Sequence, residues 1–545
     1  VASPKKLILC VIDAMAPAML QRTIEQGAAP VLARLIERGE LVNDCVAAFP
    51  SVTPVCAASI VTGARQDRHQ IPGMNWYHRE EQRYVEYGSS FRSAQRFGIA
   101  RQLTDTVYNM NRAHLAAEPT TIFERLDDVD VRTAGTTYLM YRGRHRHEPQ
   151  RDTTLAKIAA STLMRHPVLG PRELFYADIF ASQRTPCRST LGMPGIRDRH
   201  SGCVGAYLVE NDLFDFMLFS LPDNDWLSHK HGPEAQVRSI AAADLQLARM
   251  MAPAGGVDAF LEDHAVIVMA DHSQAPISEV VCLQDELAEL RVLGPGGRLY
   301  EGGRQNDVGR SLGNGDRPQI AVCPSQRAAM IYVLEEEQRD ALRPGIVRRC
   351  LELPGVELAA WLERDANGTP REGAVRTALG ELRFAPADGQ GEAMRGETLP
   401  GGRDGALRGA WTAPGGSGGS GDVEDLRGVR WSIEGDLGTV GGSVEDGLLL
   451  TPSHPDVLAR LYAALICPTS GDVLLSAAAG CEFTDWGGQA HVGGGSHGSL
   501  RAEDSLCPVL GCGLGEALQR EGERGPRPLG IHDVVPPIER FFGLA

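Results

Sequence analysis

The sequence predicts an α/β protein whose chemistry sits at the ends of buried strands. Three apolar runs, Leu7 to Ile12, Phe216 to Leu221 and His264 to Ala270, are short enough for strands covered on both faces. Each is followed closely by acidic or imidazole residues: Asp13, then Asp225 and His229, then Asp271 and His272. Ligands of open α/β sheets gather at the carboxyl ends of the strands, and core packing alone hardly explains three strands delivering candidate ligands from the same end.

The remaining elements follow in order. Pro30 opens a helix with Leu32, Leu35 and Ile36 on one face and Gly39 as its stop. Thr53 precedes Pro54, which suits a first helical turn, so Thr53 is expected at the N-cap. Pro222 to Asp225 reads as a polar turn. From 315 to 450 the texture changes: Ala329 to Leu334 reads as a strand, Glu335 to Leu353 as a charged amphipathic helix and Val356 to Leu362 as a strand. This is a small inserted α/β subdomain, dividing the catalytic core into 1–314 and 451–545. Within it 391–427 is Gly-rich and expected to be flexible. A helix from Pro455 to about Ile466 and a closing helix over Asp533 to Leu544 complete the chain.

Composition narrows the function. The 545 residues suffice for two or three average domains, or one large domain with insertions. A formal charge of -16 argues against a general nucleic-acid binder, which carries a basic surface. No apolar run approaches the ~20 residues of a membrane span. The first apolar stretch runs straight into Asp13, unlike a signal peptide. A cytoplasmic location is the favoured expectation, with export after removal of a leader as the alternative. None of the twelve cysteines forms a C-x-x-C pair, and several, such as Cys10 and Cys467, lie in apolar runs; reduced buried thiols are expected, not a disulfide framework.

Seven residues suit metal or nucleophile chemistry. Asp225 and His229 are four apart and share a face, either in a helical turn or in a tight loop ending at Gly232-Pro233. Asp271 and His272 are adjacent, so both reach one ion only from a strand end or turn. His497 lies in Gly493-Gly-Gly-Ser-His-Gly-Ser, where glycines allow close backbone approach. Thr53 offers a hydroxyl at a helix N-terminus, whose field favours a phosphate. Each has an ordinary role when taken alone, a cap or a surface loop. With Asp13, two divalent cations and an alkoxide nucleophile account for all seven.

Six blocks occur in one order: VIDAM with Asp13, AAPVLARLIERG, FPSVTPVCAASIVTGARQDRHQI with Thr53, LPDNDWLSHKHGP, VMADH and GGSHGS. Together they resemble the alkaline phosphatase superfamily and are most similar to its type I phosphodiesterase and nucleotide pyrophosphatase family. The resemblance implies a three-layer αβα sandwich around a mainly parallel sheet. It implies that Asp13, Thr53, Asp271 and His272 hold the cation that activates the nucleophile, and that Asp225, His229 and His497 hold the second. The cations would be zinc, with manganese or iron also suited to nitrogen and oxygen donors. Thr53 would form a phosphothreonine intermediate. The implied substrate is a small phosphate ester, possible nucleotides included.

Two departures bear on the substrate. Cys56, three residues after Thr53, is a poor donor where family diesterases bring an Asn to the phosphoryl oxygen somewhat further on; Asn75 or a backbone amide would have to serve. Val55 and Ala57 replace the Pro and Arg of the sulfatase branch, which disfavours sulfate esters. Further candidate substrate contacts are Tyr77, beside Trp76, for ring stacking, and Arg142 and Arg144 in YRGRHRH for a second phosphate. Arg65 is a candidate by position for the extra charge that a monoesterase needs. A phosphodiesterase or nucleotide pyrophosphatase is the preferred function. The alternatives are a phosphomonoesterase or phosphonate hydrolase on the same site, and a silent binding protein of the same fold.

Overall fold

The computed structural model describes residues 5–151, 164–176, 179–189, 193, 195–300, 317–365, 368–387, 419–518, 521–522 and 525–544. Its centre is an eight-stranded sheet in the order Glu40–Val46, Leu506–Cys512, His264–Met269, Lys6–Ile12, Phe216–Leu221, Thr133–Thr136, Glu173–Tyr176, Phe180–Ala181. The five strands from His264–Met269 to Glu173–Tyr176 run parallel, and the outer three pair antiparallel. The three apolar runs are the three neighbouring central strands, and every residue in Phe216–Leu221 and His264–Met269 is buried. Parallel strands covered on both faces need continuous apolar sequence, which is what these carry.

Helices cover both faces. Pro17–Glu25, Pro30–Arg38, Arg197–Glu210 and Gln236–Met251 pack with one another on one side; Thr53–Thr62, Ile122–Asp127 and Val535–Phe541 pack with one another on the other. The Pro30–Arg38 helix ends at Gly39 and buries Val31, Leu32 and Leu35. Its first turn is capped from outside: buried Asp244 accepts from Val31 N at 3.2 Å and Leu32 N at 2.8 Å. The three layers are therefore those of an alkaline-phosphatase-like α/β sandwich.

The second sheet is larger and differently placed than the 315–450 boundaries imply. Ten strands, all but one pair antiparallel, run in the order Ile320–Ser325, Ala328–Val333, Val473–Ala477, Val356–Arg364, Pro370–Thr377, Gly380–Pro386, Arg430–Gly435, Gly419–Asp425, Leu448–Leu450, Ser443–Glu445. Val473–Ala477, beyond the boundary at 450, lies inside this sheet and pairs on both sides. Its VLLSA sequence is wholly buried, which two paired flanks require. Residues 388–418 of the Gly-rich stretch lie outside the described residues. The tail of that stretch departs from the expected flexibility: Gly419–Asp425 is a strand paired with Arg430–Gly435, and buried Trp431 donates its Nε1 to Asp425 at 2.8 Å.

The Pro222–Asp225 turn is instead the start of the helix Asp223–His231. The cysteines depart from expectation at one pair: Cys187 and Cys203, both half-buried, are bonded to each other. Nine of the other ten are buried thiols, as expected, and Cys282 is half-buried. Among the described residues no helix is long and apolar enough to cross a membrane.

Asp244→Ala strands two buried amides, so we expect a loss of about 1–3 kcal/mol in unfolding free energy. Urea unfolding of the variant measures it; an unchanged midpoint would dismiss this cap as a fold determinant.

Candidate metal centre

The parallel register decides which residues meet. Asp13 follows the central strand, Asp271 follows one neighbour after Ala270, and Asp225 enters from the helix that begins right after the other. That helix settles the Asp225–His229 pair: Asp225 Oδ1 lies 3.3 Å from His229 Nε2. His497 arrives on the glycine loop, its Nε2 3.5 Å from Asp225 Oδ1. On the other side His272 Nε2 lies 3.5 Å from Asp271 Oδ2, 3.7 Å from Asp13 Oδ1 and 3.3 Å from Thr53 Oγ1. The His272 and His497 rings stack at 3.7 Å, joining the two halves.

Thr53 is the first residue of the helix Thr53–Thr62, and Val52 is the N-cap. This corrects the expected capping role. No cap bond holds the Thr53 hydroxyl, which instead meets His272.

The donor set fits two divalent cations. Asp225, His229 and His497 present ligand atoms within 4.8 Å of one another, and so do Asp13, Asp225 and His272. Asp225 thus reaches both groups, whereas the resemblance assigns it to one. Asp13 Oδ1, Asp271 Oδ2 and His497 Nε2 are buried with no hydrogen-bond partner among the described residues. Orphan acceptors of this kind are what a cation satisfies.

Charge crowding is visible in the titration of these groups. Burial, then the charges of Asp271 and Asp225, push Asp13 well above the ordinary carboxylate range. Burial also works against ionised Asp225, but His229, His497 and His272 overcome it and hold the carboxyl below its usual value. Burial and the neighbouring His272 drive His497 well below an ordinary imidazole.

Outer contacts aim each ligand. His229 Nδ1 lies 2.7 Å from Gly495 O, and His497 Nδ1 2.7 Å from Ser51 O, which presents each Nε2 to the site. Gln274 donates to Asp225 Oδ1 at 2.5 Å, and Asn224 to Asp13 O at 2.7 Å. His491 packs on His229 with ring centroids 4.1 Å apart and is held by buried Glu482 at 2.8 Å. Sequence reasoning missed Gln274, Asn224, Glu482 and His491, because none carries a local pattern that marks it. Two glycines of the His497 loop are dictated by space: a Cβ at Gly494 would lie 1.9 Å from His229 O, and Gly498 has φ +121° with Ser325 O 2.9 Å from its would-be Cβ.

The four candidate substrate residues are engaged elsewhere. Asn75 is buried and donates to Val85 O and Glu86, each at 3.1 Å. Tyr77 is buried against Tyr84 and Tyr332 at 5.9 Å each, a core aromatic like Trp76. Arg142 binds Glu124 at 3.0 Å and the carbonyls of Ala116 and Pro119. Arg144 binds Glu124 and Asp128. Both arginines are thus neutralised by acidic residues of the Ile122–Asp127 helix and its end. Arg65 pairs with Asp456 at 2.8 Å.

A three-layer α/β sandwich that gathers a threonine and six carboxylate or imidazole side chains at the carboxyl edge of its sheet goes with the class its family defines, hydrolases of phosphoric esters. The chain belongs to the type I phosphodiesterase / nucleotide pyrophosphatase family, whose pattern matches residues 7–345. Its fold is similar to that of phosphonoacetate hydrolase from Sinorhizobium meliloti 1021 in complex with phosphonoformate (TM-score 0.50, 16% identity, 99% of this chain and 96% of that one). It is also similar to murine ectonucleotide pyrophosphatase / phosphodiesterase 5 (TM-score 0.51, 10% identity, 99% and 95%), and to an inactive variant of that protein in complex with AMP (TM-score 0.50, 10%, 99% and 96%). No curated protein matches the sequence.

Asp13→Asn removes one of the crowded carboxylates. We expect the metal-free variant to melt above the metal-free parent, and the rise in melting temperature on adding Zn2+ to shrink, because the Asp225, His229 and His497 group remains. Thermal unfolding with EDTA and with Zn2+ reads both; a variant stabilised by zinc as strongly as the parent would remove Asp13 from the ligand set.

Proposed function

We propose that the protein is a phosphodiesterase or nucleotide pyrophosphatase that works through a phosphothreonine at Thr53 with two divalent cations. The observation that carries this reading is the place of Thr53 Oγ1: uncapped, at a helix start and 3.3 Å from Nε2 of His272, which belongs to the Asp13, Asp225 and His272 ligand group. Asp13, Asp271, His272 and Thr53 would hold one cation, and His229, His497 and Asp225 the other, with zinc the metal the donors suit best. When bound, the cations lower the pKa of the threonine hydroxyl and offset phosphoryl charge.

The chain's own part is positioning. Thr53 Oγ1 attacks phosphorus in line, the ester oxygen departs on the far side, and Thr53 carries the phosphoryl group. Water then attacks the same phosphorus and restores the hydroxyl. The hydrogen bonds behind His229 and His497 keep the site preorganised, so little rearrangement accompanies the developing charge. The disulfide Cys187–Cys203 suits an oxidising compartment, which favours the exported alternative over the cytoplasmic one.

Thr53→Ala should abolish hydrolysis of bis-p-nitrophenyl phosphate and retain both metals by elemental analysis. A side-by-side assay with p-nitrophenyl phosphate and phosphonoacetate tests the substrate class: faster cleavage of either than of the diester would replace this reading with the monoesterase or phosphonate hydrolase alternative.

A further inference from the structure

One buried carboxylate close to the metal centre has no part in the chemistry described so far. Glu482 is 1% exposed and sits in the short strand Cys481–Phe483. Both of its neighbours are fixed to the turn of the second sheet: Cys481 O accepts from Arg327 Nε at 3.2 Å, and Phe483 N donates to Gln326 O at 2.9 Å. All three of its hydrogen bonds go to one loop, which runs from His491 to His497. Oε2 accepts from the His491 amide at 2.6 Å, while Oε1 accepts from His491 Nδ1 at 2.8 Å and from the Ser496 hydroxyl at 2.7 Å. An ionised carboxylate only accepts, so the Nδ1 of His491 carries a proton. A single side chain thus pins both ends of the loop.

That loop meets the Asp225, His229 and His497 group at three points. His497 belongs to the group, and Ser496, held by Glu482, precedes it. Gly495 O lies 2.7 Å from His229 Nδ1. The His491 ring lies against the His229 ring, with centroids 4.1 Å apart and planes 31° apart. Glu482 therefore touches no candidate ligand. It fixes the ring packed on one of them and the residue next to another.

The charges of the two ligand groups differ. Asp13, Asp225 and His272 bring two carboxylates to a divalent cation, whereas Asp225, His229 and His497 bring one. A second negative charge just outside the latter group offsets the difference, and outer carboxylates that act through an imidazole are a common means of tuning a bound metal. The same placement accounts for a carboxylate kept out of water, which is costly unless its lone pairs and its charge are both matched.

We propose that Glu482 is a positioning residue for the cation of the Asp225, His229 and His497 group: by holding His491 against His229 and Ser496 beside His497, it sets how tightly that cation is bound. The inference rests on the two-cation part of the reading above and concerns metal affinity, not the steps of the reaction.

The test measures zinc affinity by competition with a chromogenic chelator, for the parent, Glu482→Gln, His491→Ala and His491→Phe. The parent should bind two zinc ions per chain. Glu482→Gln and His491→Ala should weaken one of them roughly 10- to 100-fold and leave the other unchanged, and His491→Phe, which returns a ring to the face of His229, should recover part of the loss. The His491 side chain is 29% exposed, so its variants keep the test open if Glu482→Gln fails to fold. A merely structural carboxylate would lower the melting temperature of the metal-free protein and weaken both ions alike. That pattern, two unchanged ions, a phenylalanine variant as weak as the alanine one, or a parent that binds fewer than two ions would each overturn the inference. Selective loss of one ion from a parent that leaves bis-p-nitrophenyl phosphate intact would sink the phosphodiesterase reading and uphold the inference. Unchanged affinities in a parent that cleaves the diester would sink only Glu482.

Discussion

Three carboxylates crowd one edge of the central sheet, and the cost of holding Asp13, Asp271 and Asp225 together is the constraint on which the rest of the site depends. Two adjacent parallel strands lead directly into Asp13 and Asp271, and the helix after the third delivers Asp225. Like charges that close do not coexist without compensation. The chain compensates unequally. Asp225 is drawn down by three histidines, whereas Asp13 is driven up by burial and its acidic neighbours. A protonated or cation-bound Asp13 relieves the same repulsion, so cation binding and the local fold are linked through one term.

Keeping such a site rigid needs a frame that charge alone does not supply, and the second sheet provides it. The turn between Ile320–Ser325 and Ala328–Val333 meets the His497 loop: Arg327 N donates to His497 O at 2.9 Å, and Ser325 Oγ accepts from Asn75 N at 3.2 Å. Arg327 is itself fully buried. It ties Cys481 O, Ala478 O and Glu503 together and stands 3.3 Å from Asp504, which in turn takes both the amide and the hydroxyl of Ser499. A guanidinium that spans several carbonyls and carboxylates at once has the fixed fork geometry for this task. Through these contacts the second sheet braces the loop that carries His497.

How legible this was in the sequence depended on whether a signal was local. The three central strands are continuous apolar runs with one readable meaning, and the Pro30–Arg38 helix carries its own start and stop. Asp13, Asp225 and Asp271 each lie next to such a strand, so the sequence alone singles them out together. The misplaced features are those decided by distant partners. Gly419–Asp425 has the composition of a linker and becomes a strand because Arg430–Gly435 pairs with it. Arg142 and Arg144 look like an anion site until Glu124 and Asp128, on a separate helix, fold against them.

The same partner accounting bears on substrate charge. Arg65 is committed to Asp456, and Arg142 and Arg144 to the Glu124 and Asp128 carboxylates. Arg197, whose charge is felt at Asp13, is bound to Asp223 at 2.9 Å and to Pro222 O at 3.1 Å. None of these guanidiniums is left to meet a second phosphoryl charge. A phosphate monoester brings two negative charges to the nucleophile and a diester brings one. The proposed diester matches a site without a free guanidinium better, because unpaired charge on a buried ligand is the costlier mismatch. The proposed diester substrate is thus the one that asks least of arginines already committed elsewhere.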